Sequence, residues 1–312
     1  GIAALIPWVF VVKWVKERQE FLPDEDLSLK ESIKCVFNNP SGRIYVIYDG
    51  LSVGILNILL TGITFMFSYL IGLGIETSEF TPGLQWGIIQ ALPPIIMLIV
   101  GGIAGVIVQL WIPKKYDIKT AIQFGLICQA IGFFIAFLGA LPFGVPSGSF
   151  TPPPNQILLG IGLGIGFFGL VTDFLYHNPM RADTIDYDES VTGERHEAIY
   201  AGIGCIFSKP MISVALALVP AIIGVFGLLP PENAGPTDPT LEASFGYPSA
   251  ILGVAVACLL IPSILAAICA IIWHWYPLDK QALKKLHKVL EKIHEKKRDE
   301  RLDEYGMSKF VK

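Results

Sequence analysis

The chain has 312 residues, of which 53% are hydrophobic and 16% are charged, and its mean hydropathy is +0.57. This composition excludes an ordinary soluble domain and predicts an all-α integral membrane protein. The formal net charge of -4 and the scattered basic residues give no support for nucleic-acid binding. The five cysteines show no metal-ligand spacing, so we interpret them as small core residues and expect no metal site and no cofactor.

The first 43 residues are predicted to precede the main membrane bundle. Residues 1–14 form an apolar run without the basic segment that a signal peptide needs, and we interpret them as the end of an earlier membrane helix. Residues 15–43 are charged and contain a short amphipathic stretch near residues 29–37. They are typical of a cytoplasmic linker between two membrane bundles.

Six apolar segments follow, at about residues 44–73, 86–111, 120–143, 156–178, 199–229 and 249–276. Each is long enough to cross a bilayer as a helix. The connections at residues 74–85, 144–155 and 230–248 contain no lysine or arginine, whereas the others each contain at least two. By the positive-inside rule, the six-helix bundle of residues 44–276 begins and ends in the cytoplasm.

The first segment contains three polar residues that are candidates for a substrate cavity: Tyr48, Asp49 and Asn57. Asp49 lies only about five residues inside the cytoplasmic border of this segment. The simpler interpretation of Asp49 is therefore a side chain that reaches interfacial water.

The fourth segment is rich in glycine between residues 160 and 169. A dinucleotide-binding fingerprint would need a strand before these glycines, and here they lie inside a membrane segment. Their four-residue spacing instead predicts helices that approach closely.

The same segment ends with Asp173, Phe174 and His177. Asp173 and His177 are four residues apart and share one helical face. They are candidates for a proton or cation site, or Asp173 for a partner of Lys209. The alternative is that both reach cytoplasmic water. Phe174 is a further candidate for the substrate cavity.

Of the lysines and arginines, Lys209 alone lies inside one of the six apolar segments. It lies about nine residues from the start of its span, or roughly 14 Å at 1.5 Å per residue. A lysine at this depth costs roughly 2.5–3.5 kcal/mol and usually faces a bundle interior or a water-filled cavity. Pro210 predicts a kink beside it.

Residues 277–312 form a polar tail in which leucine or isoleucine recurs every three or four residues, at Leu283, Leu286, Leu290 and Ile293. This spacing predicts a cytoplasmic amphipathic helix. It is expected to lie on the lipids of the inner leaflet or to bind a partner helix.

A combination of residues between positions 182 and 209 resembles one transporter family: Ala182, Asp183, Asp186, Tyr187, Glu189, Thr192, Gly193, Arg195, Glu197, Tyr200 and Lys209. The pattern is similar to that of the glycoside-pentoside-hexuronide:cation symporters, the melibiose-permease-like branch of the major facilitator superfamily. The resemblance implies the carboxy-terminal six-helix half of such a transporter, in the cell membrane, with an amino-terminal half as its partner.

The resemblance also implies a function, namely symport of a sugar or glycoside with Na⁺ or H⁺ by alternating access. Lys209 would lie near the cation and sugar sites. The default interpretation of Asp183, Asp186, Arg195 and Glu197 is a solvated charged loop. The resemblance implies the alternative that they form a cytoplasmic gate of exchanging ion pairs.

Two other functions are compatible with the same segments. A lipid-type transporter of this fold would have an apolar cavity with a lateral opening. A non-transporting membrane scaffold would have no water-accessible cavity. No clustered catalytic constellation is present in the sequence, so we do not expect an enzyme.

Overall fold

A computed structural model of the protein describes residues 28–71, 84–141, 155–226 and 252–304. The helix end predicted at residues 1–14 and the first part of the predicted linker lie outside these residues. The helices, in chain order, are α1 Leu29–Asn38, α2 Pro40–Phe65, α3 Leu84–Lys115, α4 Ile118–Ala140, α5 Gln156–Thr192, α6 Glu197–Val225, α7 Ile261–His274 and α8 Lys280–Glu304. The π-helical segment Met66–Ile71 continues α2, and a second one, Val256–Leu260, leads into α7.

Six helical stretches of the described chain are long and apolar enough to cross a membrane: Pro40–Phe65, Leu92–Lys115, Ile118–Ala140, Gln156–Thr192, Glu197–Val225 and Leu252–His274. They confirm the predicted all-α membrane bundle with six spans. Helix α3 continues through Pro93 and Pro94, and α6 continues through Pro210 and Pro220.

The start of the bundle is set by two successive helix caps. Ser28 and Glu31 form a reciprocal capping box at the start of α1. Asn39 then caps α2 by accepting hydrogen bonds from the backbone amides of Ser41 and Gly42, and Pro40 takes the first helical position. The first span therefore begins four residues before the predicted border at residue 44.

Helix α5 is longer than its predicted span of residues 156–178. It extends to Thr192 and ends where Gly193 adopts a left-handed backbone conformation, with φ of 79°. The predicted loop that contains Asp183 and Asp186 is therefore helical up to residue 192, and this part of the prediction is wrong. We refer to the end of the bundle formed by α1, the last turns of α5, the start of α6 and α8 as the charged end.

The six spans pack as two interlocked sets. Helix α5 packs mainly against α3 and α4, whereas α2 packs mainly against α6 and α7, and α7 also contacts α4. The first span thus joins the last two, and the fourth joins the second and third. Each set therefore combines helices from the first three spans with helices from the last three. This arrangement fits a bundle built from two three-helix repeats.

Glycines allow the close contacts around α5 that the sequence predicted. A β-carbon added at Gly101 of α3 would lie 2.1 Å from the carbonyl oxygen of Gly164. One added at Gly132 of α4 would lie 2.1 Å from the backbone nitrogen of Gly166. Only backbones without side chains can approach at these points, which confirms the prediction of close helix packing.

The tail helix α8 packs against α5, and its Leu286 and Leu290 are buried. His294 Nε2 lies 2.9 Å from Glu189 Oε1, and the Lys297 ammonium donates a hydrogen bond to the carbonyl of Gly193. Within the described residues, its partner is therefore α5 of the same bundle.

Candidate functional site

A row of polar residues on α2 faces a second row on α5, inside the membrane-spanning part of the bundle. On α5, Asp173, His177 and Arg181 recur every four residues and so share one face. The facing residues of α2 are Tyr45, Tyr48, Asp49 and Ser52. We call these seven residues the α2–α5 polar row.

Asp173 is held by neutral partners. The hydroxyl of Tyr48 donates a hydrogen bond to its Oδ1 atom, and the side chains of Ser52 and Gln129 face the same carboxyl group. Its Oδ2 atom is buried and has no hydrogen-bond partner within the described residues. The predicted partnership of Asp173 with Lys209 is not present in this arrangement.

Asp49 is held by basic partners. Its Oδ1 atom lies 3.3 Å from Nε2 of His177, and Arg181 also acts on the carboxylate. Asp49 is 6% exposed, and a β-carbon added at Gly204 of α6 would lie 3.4 Å from its Oδ2 atom. The carboxylate thus lies where α2, α5 and α6 meet. This position differs from the interfacial one that the sequence favoured.

Further polar groups extend from Asp173 toward α3 and α4. The side-chain amides of Gln109 and Gln129 and the hydroxyl of Thr172 are buried, and they have no hydrogen-bond partner within the described residues. A β-carbon at Gly125 would approach both Thr172 Oγ1 and Gln109 Nε2. Each unpaired buried group costs about 1–3 kcal/mol, so this region has hydrogen-bonding capacity that the bundle itself leaves unused.

Lys209 lies on the exposed face of α6. Phe207 and Met211 contact α2 at Gly50 and Gly54, and at 100° per residue Lys209 points away from that contact. Within the described residues, its ammonium group takes part in no ion pair or hydrogen bond. The lysine therefore faces away from the six-helix bundle, not into it.

The remaining residues predicted for a substrate cavity lie apart. Phe174 is 65% exposed on α5. Asn57 is half-buried, and its side-chain amide donates a hydrogen bond to the carbonyl of Val53. Tyr48 is fully buried against Trp273, with ring centroids 5.1 Å apart. The structure thus brings Tyr48 and Asp49 together with Asp173 and His177, but not with Phe174.

Three of the four residues predicted for a gate form one ion-pair network at the charged end. The guanidinium of Arg195 lies 3.2 Å from both Asp186 and Glu189 and 2.5 Å from Glu197. Asp183 instead faces Asp186 and His287. Glu189 belongs to the pattern that carries the resemblance but was not among the predicted gate residues; it is fully buried and also pairs with His294.

The network keeps Arg195 charged. Partial burial lowers the pKa of the guanidinium, but the hydrogen bond to Glu197 and the neighbouring carboxylates raise it on balance above its ordinary value. Its charge is therefore permanent, and any change in this network must come from movement or protonation of its partners.

Comparison with known proteins identifies the family context of this site. A family model described as MFS/sugar transport protein matches residues 2–280. The match covers all six spans and the α2–α5 polar row. No curated protein matches the chain at a significant level.

Proposed function

The chain belongs to the MFS/sugar transport protein family, and from that premise we propose that it is one six-helix half of a cation-coupled transporter. This transporter symports a sugar or glycoside with Na⁺ or H⁺ across the cell membrane by alternating access, and the chain catalyses no reaction. The basic connections and both ends of the bundle face the cytoplasm.

The observation that carries this proposal is the pair of carboxylates between α2 and α5. Ionisable residues inside membrane spans are costly and usually belong to ion or substrate pathways. The charge of Asp49 has His177 and Arg181 beside it. Within the described residues, the partners of Asp173 are neutral, and we assign Asp173 to the coupling ion.

The exposed position of Lys209 is evidence for a second helical bundle beside this one. A lysine directed into lipid is costly, and most of α3 and α6 is exposed in the six-helix bundle. We therefore place a second six-helix half against these helices, with the solute in a polar cavity between the halves. Lys209 and Phe174 would both border that cavity, and Lys209 would exchange partners as the coupling ion enters and leaves.

The Arg195 network supports alternating access at the cytoplasmic end. Surface ion pairs contribute only about 0–1 kcal/mol each, so the pair with exposed Glu197 exchanges at low cost. Fully buried Glu189 would hold Arg195 in place while that pair breaks.

Replacement of Asp173 and Asp49 tests this assignment. In vesicles that contain the intact gene product, Asp173→Asn should reduce ion-driven accumulation of the solute at least 10-fold and leave solute exchange in place. Asp49→Asn should instead lower the amount of folded protein, because it removes the buried carboxylate that His177 and Arg181 contact. Accumulation and protein yield are measured together.

Glu295→Gln, a change at an exposed acid of α8, is the matched control and should alter neither quantity. Equal and negligible effects of Asp173→Asn and Asp49→Asn would argue against a coupling role for the α2–α5 polar row.

A further inference from the structure

Three side chains of different chemistry meet at the charged end, away from the α2–α5 polar row. They are Cys35 of α1, Asp188 of α5 and His196, which directly precedes α6. Cys35 Sγ lies 3.6 Å and 3.8 Å from the two carboxylate oxygens of Asp188 and 3.9 Å from His196 Nδ1. His196 Nδ1 lies 2.7 Å from Asp188 Oδ2. The potential ligand atoms thus all lie within 4.8 Å of one another.

These separations are near those of a tetrahedral zinc site. With Zn–S of about 2.3 Å and Zn–N and Zn–O of about 2.0–2.1 Å, ligand atoms are about 3.3–3.6 Å apart. The three separations from sulfur, 3.6, 3.8 and 3.9 Å, lie at or up to about 0.3 Å above the upper end of this range. The nitrogen–oxygen pair needs to open by about 0.6 Å. A small rotation of the His196 or the Asp188 side chain would lengthen the nitrogen–oxygen distance by this amount.

The surroundings of His196 fit a metal ligand. Its other ring nitrogen, Nε2, lies 3.3 Å from Glu194 Oε2. A carboxylate in this position orients a metal-binding imidazole and keeps the proton on the nitrogen that does not bind the metal. His196 is 5% exposed and Asp188 is 4% exposed, so the group is enclosed, unlike the acidic clusters of ordinary surfaces.

We propose that Cys35, Asp188 and His196 bind a divalent transition-metal cation, with Zn²⁺ as the best match. A thiolate, an imidazole and a carboxylate form a ligand set that suits Zn²⁺ and disfavours Mg²⁺ and Ca²⁺, which prefer oxygen ligands. Water would fill the fourth position. The cation would join α1 to α5 and to the start of α6, and so fix the segment that leads into the first span.

Metal titration of the intact protein in detergent tests this proposal. Zn²⁺, in competition with a chromophoric chelator, should bind at one site per chain. Co²⁺ should produce the thiolate-to-metal charge-transfer absorption that a cysteine ligand causes. Cys35→Ser should weaken Zn²⁺ binding more than about 10-fold and abolish that absorption, and Glu194→Gln should weaken binding about 10–100-fold.

Cys128→Ser is the matched control, because Cys128 is also a half-buried cysteine and lies in α4, outside the site. It should bind both metals as the unchanged protein does. Thermal unfolding without metal should show that Cys35→Ser is folded. Absence of stoichiometric Zn²⁺ binding would overturn the proposal, and so would Zn²⁺ binding by folded Cys35→Ser that equals that of the unchanged protein. In either case His196 would only pair with Asp188 and Glu194. Neither result depends on whether the protein transports a solute.

Discussion

Lys209→Ala should abolish ion-coupled accumulation of solute in vesicles that contain the intact gene product. The lysine lies on the exposed face of α6 and points away from the α2 contact made by Phe207 and Met211. A charge at this depth is tolerated only beside water or a polar partner, and we place it on the cavity between two bundles. Its removal should therefore affect uptake more than folding, and both are measured in the same preparation.

Two further variants test whether the charge at position 209 is what uptake requires. Lys209→Arg keeps the charge and should retain part of the accumulation. Lys280→Ala, a change at an exposed lysine at the start of α8, should leave accumulation unchanged. Full accumulation by Lys209→Ala would remove this residue from the transport mechanism.

Gly101→Val should prevent the bundle from folding, whereas Gly102→Val should be tolerated. A β-carbon at Gly101 would lie 2.1 Å from the carbonyl oxygen of Gly164, while one at Gly102 has no atom within 4 Å. Overpacking of a core typically costs about 1–3 kcal/mol, and here the obstacle is backbone, so we expect a larger loss. Yield of monodisperse protein and unfolding in detergent measure it.

The two variants carry the same added side chain on adjacent residues of one helix, so a difference between them reports packing and not helix propensity. Similar stability of Gly101→Val and Gly102→Val would show that α3 and α5 do not approach as closely as the structure indicates.

Composition and hydropathy were sufficient to predict the six spans, because a bilayer accepts few alternatives to long apolar helices. The end of α5 was not predicted, since the change from apolar to charged residues near 178 marks the membrane border and not the end of the helix. The stop signal was Gly193, which takes the left-handed conformation after Thr192. A search for helix caps would have found it.

The candidate site was predicted only in part. The four-residue spacing of Asp173 and His177 correctly placed them on one face, and the same spacing would have added Arg181. Their partners on α2 were not predictable, because pairing depends on how two helices lie against each other. Periodicity within one helix therefore predicts which residues of α5 share a face. Only the tertiary contacts show that Tyr48 lies against Asp173 and Asp49 against His177.

Cys35 shows a different limit of sequence reasoning. Its potential co-ligands follow it by 153 and 161 residues, far outside the short spacings by which metal motifs are recognised. Only the packing of α1 against the α5–α6 junction brings the three side chains together.

Ion-driven accumulation by the intact protein in liposomes tests the proposed coupling most directly. A panel of sugars and glycosides is supplied under an imposed Na⁺ or H⁺ gradient, with and without an ionophore that dissipates it. We predict that at least one solute accumulates against its own gradient, that the ionophore collapses this accumulation, and that Asp173→Asn fails to accumulate it. Uptake that is indifferent to both ion gradients, or accumulation retained by Asp173→Asn, would contradict the assignment of this buried carboxylate to the coupling ion.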